Sequence, residues 1–121
     1  MKPPSTLGLA VEQAIENDPR FRRDRESIQY AAFFRTLTGT VFLIERVTVS
    51  HINLWIPEVE AAKAIAEGLG LSVVRSVPSL DPTKYGRLST LQTMPALADR
   101  PLYKISVNRP QQALDVLTAL T

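Results

Sequence analysis

The chain contains no cysteine, which removes disulfides, thiolate nucleophiles and cysteine-ligated zinc together. Histidine is almost absent as well: a single His51 leaves no His–Cys pair and no cluster for a metal ion. The five glycines are scattered, and none forms the glycine-rich loop that cradles a phosphate. Glu58 and Glu60 lie two apart on a helical stretch and point in different directions, so they make a poor catalytic carboxylate pair. No apolar run approaches the roughly 18 residues of a membrane helix. The first residues, "MKPPSTLGLAVEQAIEND", hold one Lys and no apolar stretch of signal-peptide length. These absences argue against most enzyme chemistry, call for no cofactor or metal, and set the expectation of a soluble cytoplasmic protein with no membrane partner.

What is present is enough for one packed domain. With 121 residues, 45% of them hydrophobic and 21% charged, the chain can bury a real core, and no linker or repeat divides it, so residues 1–121 read as a single domain. The net charge is +2, and ten of the fourteen cations are Arg, whose planar fork suits phosphate and carboxylate. Residues 71–121 carry six cations against three acids, so the surplus is concentrated near the end.

Periodicity and capping residues predict the elements. "STLGLAVEQAIEND" is a helix with Ser5 or Thr6 as its cap and Asn17-Asp18-Pro19 as its stop. "RFRRDRES" is a charge run. In "IQYAAFFRTLTG", Tyr30, Phe33, Phe34 and Leu37 fit a helical stripe, and the aromatics also suit a strand; the stripe favours helix over residues 28–38. "TVFLIERVTVSHINLWIP" is extended but too long for one strand, and its apolar positions change parity near Ser50-His51, which places a break there. "PEVEAAKAIAEGLG" is a helix stopped at Gly70, "LSVVRSV" and "LYKISVN" are strands, and "NRPQQALDVLTAL" is a final helix, with Asn108 as cap and Gln111 as its capping partner. The expected fold class is α+β: a two-layer sandwich with helices packed on one face of a small mixed sheet.

Three places invite a ligand. The 24 residues from Pro78 to Pro101 form an unusually long connection, and within them "KYGRLSTLQT" sets Lys84, Tyr85, Arg87 and Ser89 together. Cations and hydroxyls there suit phosphate, and the ring suits a base. With only Tyr85, Leu88 and Leu91 able to bury, the stretch reads as a contact surface rather than a cover. Arg22 and Arg23 belong to the earlier charge run, diluted by Asp24 and Glu26, and Arg109 opens the last helix. Trp55 shares a strand face with His51 and Asn53, opposite Ile52, Leu54 and Ile56, so a helix, a homodimer partner or a stacked ligand must cover it. The leading expectation is a small nucleic-acid-binding module, for DNA or RNA. It would use Arg22, Arg23, Lys84, Arg87, Ser89 and Arg109 on phosphate and Tyr85 or Trp55 for stacking. An adaptor or inhibitor docking on an acidic protein partner is the alternative, and a metal-independent ribonuclease using Arg, Tyr85 and His51 the third.

Overall fold

The computed structural model describes residues 3–78, 91 and 94–121. Its elements run α1 (Thr6–Glu16), β1 (Phe21–Arg25), β2 (Ala31–Thr36), β3 (Val41–Glu45), β4 (Ile52–Pro57), α2 (Glu60–Gly68), β5 (Ser72–Ser76), α3 (Pro95–Ala98), β6 (Leu102–Val107) and α4 (Pro110–Leu117), closed by a 3-10 turn at Thr118–Leu120. The chemistry of the helix ends is largely as the sequence implies. Ser5 caps α1, its hydroxyl accepting from Gly8 N at 2.8 Å. Gly70, at φ +75°, turns the chain after α2 while Leu71 N donates to Ala66 O and Gly70 N to Glu67 O, a Schellman closure. At α4 the capping shifts by one residue from expectation: Arg109 is the cap, and Gln112 rather than Gln111 reaches back, its amide oxygen accepting from Asn108 N and Arg109 N.

The strands form one six-stranded sheet in the order β1-β2-β3-β4-β6-β5, and every neighbouring pair is antiparallel. A mixed sheet was the expectation, because β4, α2 and β5 make a strand–helix–strand unit. Those two strands do run the same way, but β6 inserts between them and pairs antiparallel with both, so no parallel ladder forms. The long parity-shifting stretch divides as expected, with residues 46–51 joining β3 to β4.

One local reading is overturned. Residues 31–36 are a strand, not a helix, and the turn after it passes through Gly39 at φ +96°. The physical reason is burial on both faces: Ala31, Ala32, Phe33 and Phe34 are all inaccessible, and a run buried on both sides loses the alternation that marks a strand. The preceding charge run contains β1, an edge strand on which only Phe21 is buried. Charged residues are what keep such an edge from pairing with other chains.

Register assigns the side chains. Phe21, Phe34, Phe42, Ile44, Ile52, Leu54, Ile56, Tyr103, Ile105 and Val107 project to one face, where α1, α2 and α4 cover them with Val11, Ile15, Ala62, Ala66, Ala113, Val116 and Leu117. Phe42 anchors this layer, edge-on to Phe21 at 5.7 Å and stacked with Phe34 at 5.9 Å between centroids. The opposite face is not bare. Ala31, Phe33, Leu43, Trp55 and Leu102 lie there under Leu91, Met94 and Leu97.

Candidate nucleic-acid interface

The expected site residues separate into four situations. Lys84, Tyr85, Arg87 and Ser89 lie outside the described residues. The same connection is nevertheless represented by Leu91, which is fully buried in the second cluster. The stretch expected to act only as a contact surface therefore supplies a core residue at its end.

Trp55 is 6% exposed, its ring against the apolar side chains of the second cluster and Lys104 Nζ 5.8 Å from its centroid. The segment around α3 covers it. Its indole N–H is buried and has no hydrogen-bond partner among the described residues. Asn53 lies on β4 with its side chain on the face opposite Leu54, and His51 immediately precedes the strand. His51 Nδ1 lies 3.0 Å from Ser50 Oγ, and Asn53 accepts from Ser106 Oγ at 2.7 Å while donating to Glu45.

Arg23 is committed elsewhere. It turns toward α1 and donates to both oxygens of Glu16 at 2.9 Å, to Glu12 Oε2 at 2.8 Å and to Ser27 Oγ at 2.7 Å, with its guanidinium 5.1 Å from the Phe34 centroid. Hydrogen bonding to Glu16, and then to Glu12, holds its pKa above the ordinary arginine value against partial desolvation. Glu12 is buried, and its second oxygen faces Arg46 Nε at 3.2 Å, an ion pair not aligned as a hydrogen bond. Breaking one member of such a buried set leaves an uncompensated charge, so Arg23 is a structural tie between α1 and the sheet edge. Here the sequence expectation of a phosphate contact gives way to a fold contact.

Arg22 and Arg109 are exposed, but they do not meet. Arg22 sits on β1, whereas Arg109 follows β6, four strand spacings away, or about 19 Å at the usual ~4.8 Å each. It also leaves the opposite end of the sheet, since Val107 pairs with Ile52 while Arg22 lies level with Val41.

The residue that Arg22 does meet was missed in the sequence. Arg35 is its direct partner across the β1–β2 ladder, both are exposed, and both project to the face opposite the three long helices. Like charges directly opposed on antiparallel strands repel each other. Neither guanidinium makes an ion pair, hydrogen bond or ring contact among the described residues, whereas their neighbours are engaged. Arg20 holds Asp18 at 2.8 Å and Thr118 at 2.8 Å, Arg23 holds α1, and Arg25 lies 3.6 Å from Asp24 and 5.0 Å from the Phe33 centroid. Between Arg22 and Arg35 opens a cleft of about 420 Å³ whose other walls are Thr36, Leu37 and Gly39, with no acid among them. A Cβ on Gly39 would meet nothing within 4 Å, so the turn leaves this end of the cleft open. The signal available in the sequence was the pairing of "RFRRDR" with "AAFFRT" as a hairpin, which the helical reading of the second segment concealed.

Among the described residues no group of three or more His, Asp or Glu is placed to hold a metal ion, and no helix is long and apolar enough to cross a membrane. No protein-family model matches the chain, and no curated protein and no solved structure is similar to it at a significant level.

Proposed function

We propose that the protein is a nucleic-acid-binding module that contacts phosphate through the Arg22–Arg35 corner of its sheet, with Lys84, Arg87, Ser89 and Arg109 as further contacts and Tyr85 as the stacking ring. The observation that carries this reading is the pair itself: two guanidinium groups with no ionic partner among the described residues, opposed across a ladder in a cleft whose described walls hold no acid, while the other arginines near them are paired. An anion between them converts a repulsive arrangement into an attractive one, and an arginine fork presents donors in the geometry that phosphate oxygens accept.

Fluorescence anisotropy with labelled single- and double-stranded DNA and RNA across a salt series tests the reading. Each neutralised phosphate contributes a slope of about −0.7 to −0.9 in log affinity against log salt. The double variant Arg22→Gln/Arg35→Gln and the double variant Lys84→Ala/Arg87→Ala are each expected to flatten the wild-type slope by roughly one to two units. Affinity weaker than ~100 µM for every nucleic acid, the level of feeble non-specific attraction, would sink the proposal. So would a salt slope that neither variant changes.

A second observation favours an additional protein contact. Pro3, Pro4, Ser5, Thr6, Leu7, Val47 and Val49 line a cleft of about 460 Å³ beside the start of α1, and Val49 is 81% exposed. An apolar cleft of this kind suits a partner's side chain rather than phosphate.

A further inference from the structure

Among the described residues, the Arg22–Arg35 cleft is an isolated spot of charge, not a track. A groove that follows a nucleic-acid backbone needs cations at successive phosphates. Here the flanking Arg20, Arg23 and Arg25 are each held against an acid of their own, which leaves the cleft as a local double positive charge. An internal phosphodiester carries one negative charge and would neutralise half of it. A phosphomonoester carries about −1.5 to −2 at pH 7 and three terminal oxygens, enough to take both forks at once. A carboxylate has two oxygens and one charge, and is satisfied by a single arginine. The open end at Gly39 matters too, because a group bound there needs only one connection to the rest of its ligand.

From this we infer that the cleft recognises a dianionic phosphomonoester and, resting on the nucleic-acid reading above, that the group it takes is the terminal phosphate of a strand. Arg22 and Arg35 each donate to the phosphate oxygens, and the dianion offsets the repulsion that their cross-strand register imposes. Internal phosphates are then left to contacts elsewhere on the protein, so strand ends are distinguished from strand interiors by charge alone.

The test uses one single-stranded DNA sequence prepared with a 5′-phosphate, a 3′-phosphate or hydroxyls at both ends, titrated into the full chain at one salt concentration. At least one phosphorylated form is expected to bind about tenfold more tightly than the hydroxyl form, the order of one added charge-assisted contact. That preference should disappear in Arg22→Gln and in Arg35→Gln, both of which should remain folded by circular dichroism. In parallel, millimolar inorganic phosphate at constant ionic strength should shift the Nε–Hε resonances of Arg22 and Arg35 and compete with the phosphorylated strand. Equal affinity for all three strands overturns this inference while leaving the nucleic-acid reading standing. Absence of binding to any strand overturns both. Tighter binding to a phosphoserine peptide than to either phosphorylated strand also overturns it, since the dianion would then come from a protein. Arg35→Glu adds a readout that folding alone does not move: it places an opposite charge across from Arg22, so it should raise the melting temperature in phosphate-free buffer while abolishing the end preference.

Discussion

Arg22 and Arg23 are adjacent in the chain and have opposite roles, because successive residues of a strand point to opposite faces. Arg23 faces α1 and spends its donors on Glu12, Glu16 and Ser27; Arg22 faces away, and its cross-strand partner is another arginine. The same logic separates Trp55 from its neighbours Leu54 and Ile56: the tryptophan belongs to the second cluster, the other two to the first. Side-chain environment also sets titration at one buried position. Tyr103 is 3% exposed, its hydroxyl donates to the Glu60 carboxylate, and Lys63 Nζ lies 5.9 Å from the ring centroid. The hydrogen bond to Glu60, then desolvation and the charge of that carboxylate, push its pKa up to about 12 from the ordinary 10. A tyrosine whose folded pKa is raised contributes stability that is complete below the unfolded value and is lost as pH climbs through the folded one. Stability should therefore fall between pH 10 and about 12 with a component due to this side chain. Tyr103→Phe should be less stable than wild type at neutral pH and should lose that component, narrowing the difference as pH rises. Urea unfolding at a series of alkaline pH values checks this, and a constant difference across the window would mean that another group carries the alkaline transition.

At the level of elements, α1 lies tightly against the end of β3. Ser5 N donates to Arg46 O at 2.9 Å, and a Cβ placed on Gly8 would lie 2.1 Å from that same oxygen. Backbone cannot move aside as a side-chain tip can, so Gly8→Ala must push α1 off the sheet. The expected cost is about 3 kcal/mol or more, the upper end for overpacking. Gly68→Ala is the control: a Cβ there meets nothing within 4 Å, and alanine's better helix propensity should leave stability unchanged or slightly raised. Denaturant midpoints for the two variants measure the contrast, and a mild effect at Gly8 would show that α1 can shift without loss. Elements of this kind were legible in the sequence where they announce themselves by period and by end chemistry. Ser5, Gly70 and the alternation of Tyr103, Ile105 and Val107 did so. The hairpin of β1 and β2 did not, for two opposite reasons: β1 is an edge with too little apolar content, and β2 is buried on both faces and has too much. The same blind spot hid half of the candidate site. Arg22 stood out by composition, but Arg35 gains meaning only through the register that sets the two side by side, and register is a property of the pair of strands.

For the whole molecule, the consequence of the strand order is a sheet with two unlike sides. Three helices of eight to eleven residues close one side, while the other is closed by a segment inserted between the paired strands β5 and β6. That segment contributes Leu91, Met94 and Leu97 over Phe33, Leu43, Trp55 and Leu102, so the long connection is at least partly a wall of the core. Basic residues of the same side remain at its corner, outside this cover, at Arg22 and Arg35. On the proposed reading, stability and ligand contact fall to different places on one face, and substitutions should separate them. Leu91 is fully buried, so Leu91→Ala should cost about 2–5 kcal/mol through lost burial and the cavity left behind. Arg22→Gln/Arg35→Gln should leave stability unchanged or raise it, since it removes two opposed charges, while taking away the anion contact. Urea unfolding and anisotropy on both variants give the four numbers needed. A loss below about 1 kcal/mol for Leu91→Ala would mean that the inserted segment rests on the sheet without sealing it, because a well-packed leucine cannot be truncated so cheaply. The apolar row of Phe33, Leu43 and Trp55 would then be open to ligand after all, and the boundary drawn between the cover and the charged corner would have to be moved inward across the sheet.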